Sequence, residues 1–162
     1  MERHNRPLGS ILFAAVLGLA GCGSPTAPEM NLPVTRVIQG YFSAGDSSQP
    51  QRLVVRSQAD LEAAWNAVFL TLDPMPIIPA VDFSQEMVII ARTGAKPSGG
   101  YCITVDSAVG TSKKATVTVR TGGPTQSLLP AVTRPFDIVR IPRSDEVTFT
   151  ETSFIGNCGP LT

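Results

Sequence analysis

The residue types that carry out most enzyme chemistry are scarce in this chain. Its 162 residues include one histidine, His4, and three cysteines. Because His4 lies in a stretch that we expect to be removed, the mature protein would have no histidine. This excludes Ser-His-Asp and Cys-His catalysis, histidine metal sites and histidine proton shuttles. The sequence therefore predicts no catalytic residue and no metal site, and it implies no cofactor.

The first cysteine closes an export signal. Arg3 and Arg6 precede an apolar stretch from Leu8 to Ala20, and small residues lead into the cysteine in Leu19-Ala20-Gly21-Cys22. This layout is typical of a bacterial lipoprotein signal and is too short for a permanent membrane span. We therefore expect residues 1–21 to be removed and acylated Cys22 to anchor the protein in a lipid bilayer. An ordinary secretory signal followed by a chance cysteine is the alternative.

The other two cysteines, Cys102 and Cys158, are too few for a thiolate metal site. In an exported protein the default expectation is a disulfide between them, and two unpaired thiols are the alternative. The export signal also limits the location to the cell envelope. Gly23 stands where enteric bacteria place the aspartate that retains lipoproteins on the inner membrane. This favours the outer membrane, on its periplasmic or surface face.

Net charge limits the class of partner. The whole chain has 13 basic and 13 acidic residues, and without Glu2, Arg3 and Arg6 there remain 11 and 12. Because no basic stripe survives, the sequence excludes nucleic acid as a partner.

Composition divides the chain into the signal at 1–21, a flexible Gly/Ser/Pro-rich tether at 22–33 and a β domain at 34–162. Alternating apolar residues predict several strands, and the run Met87–Ala91 predicts a central strand buried on both faces. Apolar residues at helical spacing from Leu61 to Phe69 predict one helix, capped by Ser57 or Gln58. We expect a mainly β fold, an antiparallel β-sandwich or barrel-like domain with one α-helix. The runs beginning at Val34 and Arg52 flank turn residues and predict a hairpin.

Two segments have the composition of binding loops. Lys96-Pro97-Ser98-Gly99-Gly100-Tyr101 contains more bend-forming residues than a tight hairpin needs. In Thr133-Arg134-Pro135-Phe136, the proline restricts the arginine to extended geometry, which would present Arg134 and Phe136 as interface anchors. The alternatives are a long hairpin connection for the first segment and, for the second, a strand start with Phe136 packed in the core. Lys96 and Ser98 do not converge as a catalytic pair by spacing alone.

These segments resemble the C-terminal domain of the PrcB family, which is named for a lipoprotein subunit of a bacterial surface protease complex. The likeness runs from about Val34 to Phe154. It implies a noncatalytic, lipid-anchored subunit that binds another exported protein, a protease, and supports its stability or assembly.

A second resemblance is to chagasin-type inhibitors of papain-like cysteine proteases, immunoglobulin-like sandwiches that insert three loops into a protease cleft. The matching segments, in the same chain order, are Lys96–Tyr101, Thr121–Pro124 and Arg134–Phe136. Lys96 replaces an asparagine of that family, and Ser98-Gly99 replaces its pair of threonines. Inhibition is thus one alternative function, and a structural envelope lipoprotein without a protease partner is another. The protein-binding residues predicted by either resemblance are Lys96, Pro97, Ser98, Gly99, Gly100, Tyr101, Gly122, Gly123, Arg134, Pro135 and Phe136.

Overall fold

A computed structural model of the chain describes residues 28–43, 48–126 and 130–156. The predicted signal peptide at 1–21, the lipidation site Cys22 and Cys158 lie outside the described residues. In the ranges that the structure describes, no helix is both long enough and apolar enough to cross a membrane.

The described residues form ten strands and one helix. Their bounds are β1 Met30–Leu32, β2 Thr35–Gly40, β3 Gln51–Val55, α1 Gln58–Phe69, β4 Glu86–Arg92, β5 Lys96–Ser98, β6 Cys102–Gly110, β7 Lys114–Gly123, β8 Pro130–Thr133, β9 Phe136–Pro142 and β10 Glu146–Ile155.

Two four-stranded sheets pack face to face, and a two-stranded ribbon extends from one of them. The first sheet has the strand order β1-β6-β7-β10, the second has β2-β9-β4-β3, and the ribbon is β5-β8. The prediction of a mainly β sandwich with one helix is confirmed. One strand pair departs from the antiparallel expectation, because β10 runs parallel to β7. Strand β9 ends at the same end of the sandwich where β7 begins. Residues 143–145 then lead directly into β10, which therefore runs in the same direction as β7.

The predicted central strand is confirmed by β4. Met87, Ile89 and Ala91 pack between the two sheets, whereas Val88 and Ile90 face the helix. Successive side chains of a strand point to opposite faces, so an apolar run of this kind is buried on both sides.

The helix α1 covers the outer face of the second sheet. The hydroxyl oxygen of Ser57 accepts a hydrogen bond from the amide of Asp60 at 3.1 Å, which makes Ser57 the N-cap that the sequence predicts. The buried side of the helix includes Leu61, Trp65, Val68 and Phe69. The three-layer arrangement of sheet, sheet and helix follows from this burial.

The predicted hairpin between the runs beginning at Val34 and Arg52 is wrong. Strand β2 pairs with β9 and strand β3 pairs with β4, so these two strands lie at opposite edges of the second sheet. Turn residues show where a chain reverses but do not determine which strands become neighbours, and here the long buried strands β4 and β9 take the central positions. The fold also begins earlier than predicted, because Met30–Leu32 of the predicted tether pairs with β6.

The two ends of the sandwich are marked by the two ends of strand β6. Strand β6 runs from Cys102 at one end to Gly110 at the other, a distance of about 25 Å at the usual rise per residue. Met30 pairs with Gly110, so the described chain enters the fold at the Gly110 end. Gly122 pairs with Cys102 at the opposite end, which we call the Cys102 end.

Candidate protein-binding site

The three segments that the sequence singled out meet at the Cys102 end. Pairing of β5 with β8 places Lys96 opposite Thr133, and the Thr133 hydroxyl donates to the carbonyl of Ser98 at 2.9 Å. Cys102 pairs with Gly122, which places Gly123 beside Tyr101. The ribbon and the end of β7 therefore lie next to each other.

The ribbon continues the central strands of the second sheet beyond a bend. Arg92 and Phe136 are paired in the β4-β9 ladder, and the amide of Thr93 donates to the carbonyl of Pro135 at 3.0 Å. Gly94 follows with a φ of 74°, and a β-carbon there would lie 2.6 Å from the carbonyl oxygen of Ser48. Glycine is required at this bend because both its backbone conformation and the available space exclude a larger residue.

Lys96 and Arg134 lie at the same end and have different neighbours. Lys96 shares a side with its partner Thr133, and its ammonium nitrogen lies 5.6 Å from the centre of the Tyr101 ring. Arg134 is the next residue after Thr133, just beyond the end of β8. Its amide donates to the carbonyl of Tyr41 at 2.8 Å, which places it beside the end of β2.

The Arg134 guanidinium is half-buried, and its Nε is a buried donor without a hydrogen-bond partner in the part of the chain that the structure describes. No carboxylate of the described residues forms an ion pair with it. The pKa of the nearby Arg92 is lowered from its ordinary value, chiefly by burial and further by the charge of Arg134. A carboxylate supplied by a partner would satisfy Arg134 and relieve this repulsion.

The prediction that Pro135 and Phe136 contact a partner is wrong, because the structure places both residues in the core. Phe136 is 3% exposed, and its ring meets that of Phe69 edge-on with centroids 5.3 Å apart. As the first residue of β9 it points to the helix side of the second sheet, together with Ile138. Pro135 is buried as well. Of the predicted segment 134–136, the side chain that reaches the surface is that of Arg134.

Three exposed apolar residues that the sequence analysis missed lie close to Arg134, either along the chain or across the backbone hydrogen bond to Tyr41. Phe42 is 63% exposed, Val132 is 58% exposed and Tyr41 is 37% exposed. The sequence contained a signal for Tyr41 and Phe42, because adjacent large aromatic residues at the end of a strand cannot both face one core. Val132 had no such signal, because β8 was not predicted as a strand.

The two predicted glycines of the middle loop lie in strand β7. A β-carbon on Gly122 would lie 2.6 Å from the sulfur of Cys102 and 2.5 Å from the carbonyl oxygen of Gly156. Gly122 therefore permits close packing inside the sheet. Gly123 is half-buried, and a β-carbon there would lie 3.4 Å from the Tyr101 ring. Gly99, at the tip of the ribbon, has open space around it.

Comparison with known families bears on this end of the molecule. Residues 87–142 match the PrcB C-terminal family model. This confirms the resemblance to the PrcB C-terminal domain over that segment. No curated protein and no solved structure matches the chain. The PrcB match extends from β4 to β9, so it includes the ribbon, Tyr101, the end of β7 and Arg134.

The described residues offer little metal chemistry. No group of three or more His, Cys, Asp or Glu side chains in the described ranges could hold a metal ion. Cys102 is disulfide-bonded. Its predicted partner, Cys158, lies outside the described residues, so that pairing stays a prediction.

Proposed function

We propose that this protein is a noncatalytic binding module that contacts another exported protein, a protease or its precursor, through the Cys102 end. The observation that carries the proposal is the convergence at this end of the predicted segments, exposed apolar side chains and an arginine without a carboxylate partner among the described residues. The PrcB C-terminal match supports a subunit that assists a protease in its stability or assembly.

The composition of the Cys102 end is that of a binding surface. Single exposed apolar residues are common on proteins, but here Tyr41 bonds to the backbone of Arg134, Phe42 follows Tyr41, and Val132 lies two residues before Arg134. Leu70 is the first residue after α1 and is 73% exposed. It follows Phe69, whose ring contacts that of Phe136. Aromatic residues and arginine are the side chains that most often anchor protein interfaces.

The direction of the chain supports a lipid-anchored arrangement. Met30 enters the sandwich at the Gly110 end, about 25 Å from the Cys102 end. In our proposal acylated Cys22 holds the protein in the bilayer, with the outer membrane favoured, and residues 23–29 form the tether. The Cys102 end then faces away from the bilayer, where a membrane-confined partner can reach it.

A noncatalytic role is supported by the contacts of the Lys96 and Ser98 side chains. The Ser98 hydroxyl donates to the carbonyl of Gly99 at 3.1 Å, and Lys96 lies over the Tyr101 ring. These contacts do not form the serine-lysine pair that nucleophilic catalysis would need.

Chagasin-like inhibition has no comparable support. That mode needs three loops that project into a protease cleft, whereas Gly122 and Gly123 belong to strand β7 and Phe136 is buried. Chagasin-like inhibition and a purely structural envelope role are the alternatives that the experiment below distinguishes from the proposal.

The proposal predicts that a Phe42→Ala, Arg134→Ala double variant loses its partner. Full-length protein would be crosslinked in cells, recovered from detergent extract, and the captured proteins identified and quantified. We expect recovery of an exported protease to fall about tenfold or more, because truncation of interface anchors commonly costs about 2 kcal/mol. Lys113→Ala at the Gly110 end is the matched control and should change nothing.

Unchanged recovery from a folded double variant would contradict the proposal. Inhibition of papain-like proteases by the purified protein would instead support the chagasin-like alternative. Failure to recover any specific partner with the unmodified chain would support the structural role.

A further inference from the structure

Three neighbouring grooves at the Cys102 end share lining residues, and we call them together the ribbon cleft. The volumes of the grooves are about 610, 200 and 330 Å³. Tyr101 lines the first two, and Thr93, Lys96 and Thr121 line the last two. The grooves therefore follow one another from the ribbon tip, past Lys96, to the edge where Arg52 of β3 contacts Glu151 of β10.

The two halves of the ribbon cleft differ in chemistry. At the ribbon tip, Tyr101 is accompanied by three prolines, Pro97, Pro124 and Pro130. At the other end, Arg52 and Glu151 form a two-point ion pair with distances of 2.7 and 2.9 Å. One half thus offers proline and tyrosine surface beside the polar Ser98, Thr125 and Gln126, and the other offers charge that is already paired.

Lys96 is the cation of the cleft without a carboxylate partner among the described residues. Its interaction in the part of the chain that the structure describes is with the Tyr101 ring, at 5.6 Å. Because Lys96 is half-buried, it has lost part of its hydration and would gain from a carboxylate placed in the cleft. The charge of the cleft therefore complements an acidic ligand.

Gly123 allows a ligand backbone to approach the wall of the cleft closely. It lies at the end of β7 beside Tyr101, and a β-carbon there would occupy space 3.4 Å from that ring. Extended peptides commonly bind in adjacent grooves that combine apolar surface with a charged group.

We propose that the ribbon cleft binds an extended acidic peptide segment of the partner. A carboxylate of this segment pairs with Lys96, and a neighbouring proline or other apolar side chain packs against Tyr101 and the prolines of the ribbon tip. This inference rests on the proposed function, because it names the part of the partner protein that the Cys102 end holds.

The experiment uses a phage-displayed library of random dodecapeptides, panned against the full chain in detergent. We expect the selected peptides to combine Asp or Glu with nearby Pro or aromatic residues. Gly123→Ala should weaken binding of the selected peptides about tenfold or more, by narrowing the cleft. Lys96→Gln should produce a similar loss, which corresponds to about 1.4 kcal/mol.

A matched variant controls the charge substitution. Lys113→Gln removes the same charge at the Gly110 end, away from the cleft. It should leave peptide affinity within about twofold of the unmodified chain. Thermal unfolding of each variant verifies folding, and Lys96→Gln keeps the test valid if Gly123→Ala proves unstable.

The inference is overturned if no acidic peptides are selected, or if they bind the Gly123→Ala and Lys96→Gln variants as tightly as the unmodified chain. Its failure differs from failure of the proposed function, because Phe42 and Arg134 lie outside the ribbon cleft. If their substitution abolishes partner capture while peptides fail to bind, the cleft assignment is wrong and the binding module remains.

Discussion

Replacing Phe136 with alanine is expected to lower the free energy of unfolding by about 3–5 kcal/mol. Phe136 is 3% exposed and lies between Phe69 of the helix and the second sheet. Gly40 packs against the same ring, since a β-carbon at that position would come within 2.7 Å of it. Truncation would leave a cavity that the rigid strand β9 cannot close. Urea denaturation followed by circular dichroism measures the loss.

Phe42→Ala is the matched control, because it removes the same side chain from a position that is 63% exposed. We expect it to change the unfolding free energy by less than about 1 kcal/mol while weakening partner capture. The reverse result, a stable Phe136→Ala variant and an unfolded Phe42→Ala variant, would contradict the assignment of Phe136 to the core and of Phe42 to the surface.

Asp137→Ala is expected to destabilise the protein by about 3 kcal/mol. The fully buried Asp137 carboxylate accepts hydrogen bonds from Arg36 at 2.9 and 3.1 Å and from the amide of Val105 at 2.7 Å. It thereby ties strand β9 of the second sheet to β6 of the first. The hydrogen bond to Asp137 is also the main reason that the pKa of Arg36 is raised. Removing the carboxylate leaves both donors without their shared acceptor.

The control for Asp137 is Asp145→Ala. Asp145 accepts from Lys113 at 3.3 Å, and both side chains are largely exposed. Its loss should cost about 0.5 kcal/mol or less, since exposed ion pairs contribute little. Equal midpoints of urea unfolding for the two variants would show that the contact between the sheets does not stabilise the sandwich.

Local sequence patterns predicted the elements whose burial they determine. The spacing from Leu61 to Phe69 and the cap at Ser57 predicted the helix, and the run Met87–Ala91 predicted a strand covered on both faces. Each of these features depends on neighbouring residues in the chain. For this reason the mainly β sandwich with one helix could be inferred before any contact was known.

Pairing between distant strands could not be predicted in the same way. Turn residues after Gly40 suggested a local hairpin, yet β2 pairs with β9, about a hundred residues further along the chain. Strand β8 has four residues, and its pairing with β5 depends on the bend at Gly94. Such pairings are determined by the packing of the whole domain.

Local sequence patterns also predicted only part of the candidate site. Lys96, Tyr101 and Arg134 were identified from composition and resemblance, and the structure places them at one end. Phe136 was predicted as a contact residue with core packing as the alternative, and its burial favours the alternative, because the residue after a proline at a strand start can point either way. Phe42 is the exposed aromatic residue near this segment, because β2 ends where the Tyr41 carbonyl accepts a hydrogen bond from the amide of Arg134.

Site-specific photocrosslinking in cells tests the central claim most directly. A benzoylphenylalanine at position 99 would project from the ribbon tip, where a β-carbon meets no neighbouring atom, and one at position 113 would project from the Gly110 end. We predict a crosslinked exported protein, identified as a protease by mass spectrometry, from position 99 and none from position 113. Adducts from position 113 alone, or the same adducts from both positions, would contradict binding through the Cys102 end.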